Sequence, residues 1–268
     1  MSTTFEEAVQ TIITGNATAL KGLLQEAPGL IAARSASGHR ATLLHYVAAN
    51  GVEDELQKTP ANAVEIARIL IEAGAEVDAL ADTYGGGTNQ TTLCLLVSSC
   101  HPAEAGLQPA LAQVLCDAGA AVNGVADDGA PLATALMFSY TRSVDVLVQC
   151  GARIGNLLFA AGAGDLERVR SFFDCDGRLE PGAAYDGPHF PIAGDEKAVL
   201  AQALGMACYH LRLEVIRFLL EQGVDVNSRS HILGGSSTGL YWATHGFHTQ
   251  EEERPIVEFL RSVGAESQ

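Results

Sequence analysis

The chain has 268 residues, and 47% of them are hydrophobic, so it can bury a continuous core in one elongated domain or two compact ones. Its 16 basic and 32 acidic residues give a formal net charge of −16. An acidic surface of this kind repels phosphate, which argues against nucleic acid and anionic membranes as partners. Aromatic residues make up only 6% of the chain, and the abundance of Ala and Leu favours packed helices.

The amino terminus and the cysteines bear on the cellular compartment. Residues 1–7 contain neither a basic nor an apolar segment, so they do not resemble a secretory signal. No apolar run approaches the about 20 residues that span a bilayer. The six cysteines include no Cys-x-x-Cys pair. We therefore expect a cytoplasmic protein with reduced cysteines, and we predict neither a metal site nor a cofactor.

An amphipathic helix that ends at a glycine recurs along the chain. In residues 65–78, Ile66, Ile69 and Leu70 share one face of a predicted helix. Gly74 is expected to end this helix, because glycine adopts the left-handed conformation without a Cβ clash. The pattern returns, wholly or in part, in residues 114–123, 146–152, 214–227 and 259–266.

The recurrence divides the chain into about seven helical pairs, and repeats of this length with helix–turn–helix content are typical of a solenoid. The predicted bounds of the pairs are 3–30, 39–78, 88–123, 129–154, 155–178, 198–227 and 236–266. The first pair ends with Pro28 in place of a glycine, and the last runs into a polar tail. We interpret both as caps, because an end unit of a stack lacks one neighbour.

The first helix of these pairs resembles a motif of the ankyrin-repeat family. Residues 42–51 are Thr-Leu-Leu-His-Tyr-Val-Ala-Ala-Asn-Gly, whereas the family has Thr-Pro-Leu-His-x-Ala-Ala-x-x-Gly. Leu43 therefore replaces the proline of the motif, and Val47 replaces its first alanine. Pro131 retains the proline in a later pair, and residues 238–243 keep the frame with two substitutions.

The resemblance covers nearly the whole chain and implies an architecture. We expect an all-α fold, namely an ankyrin-repeat solenoid of about seven helical hairpins. The resemblance further implies a single domain over residues 1–268, with enlarged loops between the repeats.

Five segments are longer than helical hairpins require, and loops on a rigid scaffold are where binding varies. These segments are 51–63, 82–90, 100–108, 174–197 and 227–239. In structures that resemble this one, loops between repeats lie on the concave side, so three of the five are expected to gather there. We predict that 174–197 is ordered and packs toward the groove, because Pro181, Pro188 and Pro191 stiffen a loop that carries aromatic rings.

Most ankyrin-repeat proteins bind other proteins, so the resemblance implies a module that recognises a partner protein through its concave face. The acidic charge suits a basic or polar partner. The alternative is a small-molecule-binding protein or enzyme whose pocket is closed by the insertions, although ankyrin domains are rarely enzymes. No residue is predicted to be catalytic. The candidate binding residues are Tyr84, Tyr185, Asp186, His189, His231, Tyr241 and Trp242.

Three other motifs favour structural interpretations. His45 occupies the position of the family's histidine, which implies that it hydrogen-bonds within its own turn. Residues 235–239 fit Gly-x-Ser-x-Gly, but a nucleophile elbow requires a strand before it and a helix after it above an α/β sheet. Residues 84–87 are glycine-rich but lack the Lys-Ser/Thr of a phosphate loop, which indicates a flexible turn.

Overall fold

The computed structural model describes residues 4–84, 87–187, 190 and 195–266. Its backbone contacts separate two compact units. Unit 1 comprises Met1–Pro131 and Gln149–Gly151, and unit 2 comprises Leu132–Val148 and Ala152–Gln268. The single domain over 1–268 stays a prediction.

Unit 1 is built mainly from helices. They are α1 (Phe5–Thr14), α2 (Ala17–Glu26), α3 (Ala63–Glu72), α4 (Thr92–Leu96), α5 (Cys100–Glu104) and α6 (Gln108–Asp117), with 3-10 helices at Pro28–Ala32, Leu43–Ala48 and Asp54–Leu56. α1 packs against α2 and against Leu43–Ala48, and α3 packs against Leu43–Ala48 and α6. The predicted apolar face of α3 is confirmed: Ile66 and Leu70 are fully buried and Ile69 nearly so. Burial of each such side chain contributes about 1.5–3 kcal/mol.

Unit 2 combines helices with one β-hairpin. Its elements are α7 (Ala130–Met137) and α8 (Thr141–Gln149), which fall mostly in this unit, then α9 (Leu157–Ala163), α10 (Leu166–Arg170), α11 (Glu196–Tyr209), α12 (Leu213–Glu221), β1 (Arg229–Ile232), β2 (Gly235–Thr238), α13 (Gly239–Trp242) and α14 (Gln250–Ser262). Helices α9, α12 and α13 and strand β1 all pack against α11. A side chain at Gly205 of α11 would collide with Ser230 of β1, so glycine permits this close approach. No helix in the described residues is long and apolar enough to cross a membrane.

The hairpin overturns the predicted fold class. The all-α ankyrin-repeat solenoid of about seven helical hairpins is wrong, because about 52% of the structure is helical and an antiparallel two-stranded sheet makes its content mixed. The sheet occupies segment 227–239, which the sequence analysis treats as an insertion. Strands β1 and β2 pair from Arg229 opposite Thr238 to Ile232 opposite Gly235.

The turn explains why this segment forms strands. Leu233 and Gly234 connect β1 to β2 with φ of +51° and +74°. Two left-handed residues in a two-residue loop match the twist of paired strands, as in a type I′ turn. Gln202 of α11 then fixes β1: its amide nitrogen donates to the His231 carbonyl over 2.6 Å, and its amide oxygen accepts from the His231 N–H over 2.8 Å.

The predicted glycine ends are confirmed. The five glycines of the recurring pattern all have φ between +85° and +95°. They are Gly74, Gly119, Gly151, Gly223 and Gly264. After α12, the N–H of Val224 donates to the Leu219 carbonyl and the N–H of Gly223 to the Leu220 carbonyl. This pair of hydrogen bonds is a Schellman motif, in which only glycine takes the left-handed position without strain.

The long segment 174–197 is described in part. The Leu157 N–H of α9 donates to the Ala183 carbonyl over 2.8 Å, and Ala183 and Phe190 are buried. The described part of this segment therefore packs against α9, and the order of the whole segment stays a prediction. Pro188 and Pro191 lie outside the described residues, and packing toward a groove stays a prediction.

Candidate functional site

The candidate residue of unit 1 is Tyr84. Its ring is 52% exposed and lies edge-on to His39, with the centroids 5.1 Å apart. His39 is buried: Nδ1 accepts the Ala41 N–H, and Nε2–H donates to Glu53 over 3.1 Å. Ser37 donates to the other oxygen of the same carboxylate over 2.6 Å. Because both ring nitrogens are engaged, His39 serves to hold this turn and is not available as a general base.

Three candidates belong to segment 174–197 of unit 2. The half-buried Tyr185 ring packs against Phe159 and Phe190, with centroid distances of 5.3 and 5.7 Å. Asp186 is exposed. His189 lies outside the described residues.

The remaining three candidates lie near the hairpin of unit 2. His231 is exposed on β1, and its backbone is held by Gln202. Tyr241 and Trp242 are in edge contact, with centroids 5.1 Å apart. Trp242 is nevertheless buried, and its indole N–H donates to the Ser237 carbonyl over 3.2 Å. Its role is therefore in the core, and Tyr241 is the ring of this pair that solvent reaches.

His45 behaves as the sequence predicts. Its Nδ1 accepts the Thr42 N–H over 3.1 Å and the Thr42 hydroxyl over 2.8 Å, and its Nε2 lies 3.3 Å from the Gln90 carbonyl oxygen. A carbonyl oxygen only accepts, so Nε2 carries the ring proton. Burial lowers the pKa of His45 to about 4. This histidine is a structural element of its own turn.

Three rings that the sequence analysis does not select form an exposed cluster in unit 2. Phe138 and Tyr140 stack with their centroids 6.1 Å apart, and Phe247 meets Tyr140 edge-on at 5.2 Å. Phe138 is 36% exposed and Phe247 is 45% exposed, while Tyr140 lies beneath them at 7%. We call these three residues the aromatic surface. A contiguous apolar patch at a protein surface, unlike a single exposed ring, is typical of an interaction site.

The end of α7 places the first two rings. Ser139 has φ of +56°, the Tyr140 N–H donates to the Ala135 carbonyl, and the Ser139 N–H donates to the Leu136 carbonyl. This is again a Schellman motif, but serine occupies the position that glycine favours. The Ser139 hydroxyl compensates by donating to the Tyr209 carbonyl over 2.8 Å.

His248 connects the chain segment of Phe247, the third ring, to the backbone of Tyr209. Its Nε2 lies 3.0 Å from the Tyr209 carbonyl oxygen and 3.0 Å from Ser139 Oγ. Nε2 therefore carries the ring proton and donates it, which fixes the neighbouring Phe247 beside Tyr140. Ser139 is fully buried, so its hydroxyl is not placed to attack a substrate.

A second histidine supports the aromatic surface from the core. His210 is fully buried; its Nε2 donates to the Leu136 carbonyl over 2.9 Å, and its Nδ1 accepts from the Thr141 hydroxyl over 2.9 Å. Burial lowers its pKa to about 3. His210 therefore stays neutral and ties α11 to both ends of the turn that carries Phe138 and Tyr140.

The first turn of α14 adds negative charge next to Phe247. Glu252 is engaged within the protein: its carboxylate accepts the Thr249 N–H over 2.8 Å and an Arg142 N–H over 3.0 Å. Glu251 is exposed and Glu253 is half-buried, and neither forms an ion pair within the described residues. Burial lowers the pKa of His248, and the hydrogen bond to Tyr209 and the carboxylates of Glu252 and Glu253 oppose that shift. The carboxylates of Glu252 and Glu253 thus act on His248, the residue that follows Phe247.

The chain segment before Phe247 carries one more exposed pair of rings. Tyr241 and His245 stack with centroids 3.6 Å apart and an interplanar angle of 15°. The His245 Nδ1–H donates to the Tyr241 carbonyl over 2.8 Å, which holds the imidazole on the phenol ring. His245 lies beyond the end of α13.

The sequence gives little signal for the aromatic surface. Phe138 and Phe247 are far apart in the chain, and neither belongs to the recurring helix pattern. One clue was present: in a chain with 6% aromatic residues, two rings flank Ser139 directly after a predicted helix. A helix end is where side chains leave the core, so rings there are candidates for the surface.

A separate pocket of about 400 Å³ lies in unit 2. Its lining residues are Glu196, Lys197, Leu200, Gly223, Val224, Asp225 and Ser228. None of the six candidate binding residues that the structure describes lines it. Within the described residues, no group of three or more His, Cys, Asp or Glu side chains is placed to hold a metal ion.

A scan against models of protein families finds no match to this chain, and a search of curated proteins finds none either. The functional proposal therefore rests on the residues themselves.

Proposed function

We propose that this protein is a cytoplasmic binding module that recognises a partner protein through the aromatic surface of unit 2. The observation that carries the proposal is the exposure of Phe138 and Phe247 on a rigid support. Aromatic rings dominate binding energy at interfaces, because they bury a large area with little loss of conformational entropy.

The support makes the surface suitable for recognition. Ser139 and His248 both donate to the carbonyl of Tyr209, so the two chain segments that carry the rings share one anchor. A surface that is already ordered loses less entropy when a partner binds.

The test compares the proteins retained by matched surface variants. Full-length wild-type protein, the double variant Phe138→Ala/Phe247→Ala and the control Tyr84→Ala are immobilised and exposed to a lysate of the source cells. Tyr84 is a suitable control because it is an exposed ring of unit 1. We expect at least one protein that wild type and Tyr84→Ala retain equally and that the double variant retains about tenfold less.

Each retained protein is then purified and titrated against all three forms. Circular dichroism and melting temperature confirm that the variants are folded. Equal affinity for wild type and the double variant would show that the aromatic surface does not bind the partner. A loss confined to Tyr84→Ala would move the site to unit 1.

A further inference from the structure

We propose that the partner segment bound by the aromatic surface is basic, with Lys or Arg side chains stacked on Phe138 and Phe247 and their charges facing Glu251 and Glu253. This inference rests on the proposed function, since it names the chemistry of the segment that the same surface binds.

The rings offer their faces rather than hydrogen bonds. Phenylalanine has no polar atom, and the face of its ring carries a negative quadrupole that attracts cations. Within the described residues, no cation of the chain lies over Phe138 or Phe247. One face of Phe138 stacks on Tyr140, so the exposed parts of Phe138 and Phe247 are what is left for a cation from outside.

Unit 2 already uses this contact on its own surface. The guanidinium of Arg217 lies 4.3 Å from the centroid of Phe259, and that of Arg168 lies 4.6 Å from the centroid of Phe172. Phe259 is half-buried and Phe172 is buried, and in both cases the cation is an arginine. The aromatic surface presents the same acceptor without its cation.

The carboxylates near the rings favour a partner segment with positive charge. Of the three consecutive glutamates in α14, Glu252 is taken up by Thr249 and Arg142, which leaves Glu251 and Glu253 without an internal counter-charge in the described chain. The net charge of −16 adds a long-range attraction for cations. Phosphate-bearing partners would meet repulsion from the same charges.

The first experiment uses defined probes. Short fluorescent peptides of alternating Arg and Gly, or Lys and Gly, are titrated into the full-length protein and followed by anisotropy at low and physiological salt. Peptides with Gln or Glu in place of the basic residue are the controls. We expect the basic peptides to bind more tightly than the Gln peptide, and the Glu peptide to bind most weakly.

Substitutions at Phe247 separate the contribution of the aromatic ring to the affinity from that of apolar surface area. Phe247→Leu keeps an apolar side chain but loses the ring, so we expect about 2- to 5-fold weaker binding of the Arg peptide. Phe247→Tyr restores the ring and should restore the affinity. Equal binding by wild type and Phe247→Leu would overturn the ring contact.

A second pair of variants separates local from general charge. Glu251→Gln/Glu253→Gln should weaken binding of the Arg peptide about 2- to 10-fold at low salt, since each surface charge pair contributes little. The control Glu55→Gln/Glu72→Gln removes two exposed carboxylates from unit 1 and should have a smaller effect. Equal losses from both pairs would overturn the assignment to α14.

The outcomes distinguish this inference from the proposed function. If the ring variants lose a partner protein but basic peptides bind no better than the Gln peptide, the aromatic surface binds a partner of other chemistry and the inference fails alone. If the ring variants change neither measurement, both proposals fail.

Discussion

At the scale of single residues, burial decides the protonation of two histidines. His45 and His210 each have both ring nitrogens engaged in hydrogen bonds that only the neutral imidazole can make. Burial lowers their pKa from 6.5 to about 4 and about 3. In the unfolded chain both titrate at the ordinary value.

This difference makes stability depend on pH. As the pH falls below about 6.5, the unfolded state binds protons that the folded state does not, so stability is present above that pH and lost below it. Between about pH 8 and about pH 5, we expect the free energy of unfolding to fall by about 2 kcal/mol for each of His45 and His210. Denaturant unfolding at a series of pH values measures the loss.

The variant His210→Gln isolates one contribution. It should lower stability at all pH values and reduce the loss between about pH 8 and about pH 5 by about 2 kcal/mol. His245→Gln is the control, since His245 is exposed. An identical pH dependence in wild type and His210→Gln would contradict the assignment.

Residue type alone did not separate a core ring from a surface ring. Trp242 is a candidate ligand by sequence, yet its indole N–H finds a carbonyl in the interior and the ring is buried. Phe247 has no polar atom and lies at the surface. The difference arises from tertiary packing around α11 and the turn at Ser139, which no local pattern reports.

At the scale of elements, the recurring glycines are the feature that sequence predicts best. A left-handed residue after an amphipathic helix depends on short-range sterics, so the residues that determine it are adjacent in the chain. The β-hairpin was missed because its turn lacks the local sequence signal by which such turns are recognised. Leu233 occupies a left-handed position in its turn, whereas the usual sequence signal is Asn-Gly or Asp-Gly.

A pair of glycine substitutions tests the conformational argument. At Gly223 and at Gly22 an added Cβ meets no atom within 4 Å, but only Gly223 has a positive φ, +85°. Gly223→Ala should therefore destabilise the protein by about 1 kcal/mol. Gly22→Ala lies inside α2 and should stabilise it by about 0.5–1 kcal/mol.

Denaturation midpoints of the two variants give the comparison directly. Because neither site is crowded, a difference in sign can come only from backbone conformation. Two changes of the same sign would show that the left-handed glycine after α12 is not required.

At the scale of the whole molecule, the net negative charge is the feature that bears most on stability. Thirty-two acidic residues against 16 basic ones leave a self-repulsion that opposes the compact state. Salt shortens the range of this repulsion to about 8 Å at physiological ionic strength. We therefore expect the melting temperature to rise as NaCl is added to a low-salt buffer.

A variant with less negative charge is the control for that prediction. Glu55→Gln/Glu72→Gln removes two exposed carboxylates and should melt at a higher temperature in low salt, with a smaller response to NaCl. A melting temperature that falls on addition of NaCl would indicate that internal ion pairs outweigh the repulsion.

The aromatic surface also belongs to this scale, since its parts come together only in the folded unit. Phe138 follows α7 and Phe247 precedes α14, and the carbonyl that anchors them belongs to Tyr209 of α11. Three segments that are distant in sequence must fold before the surface exists. The acidic character of the chain follows from its composition, but the position of the three rings could not be predicted from it.

The contact between Gln202 and β1 has a consequence for self-association. An isolated pair of strands exposes two edges, and a free edge invites a strand from another chain. Here the N–H and the carbonyl of His231 are already bonded to an amide of the same molecule, and Arg229 occupies the Ser236 carbonyl on β2. A side chain thus takes the place of a third strand at His231, which opposes at this position the edge-to-edge stacking by which β-structure nucleates fibrils.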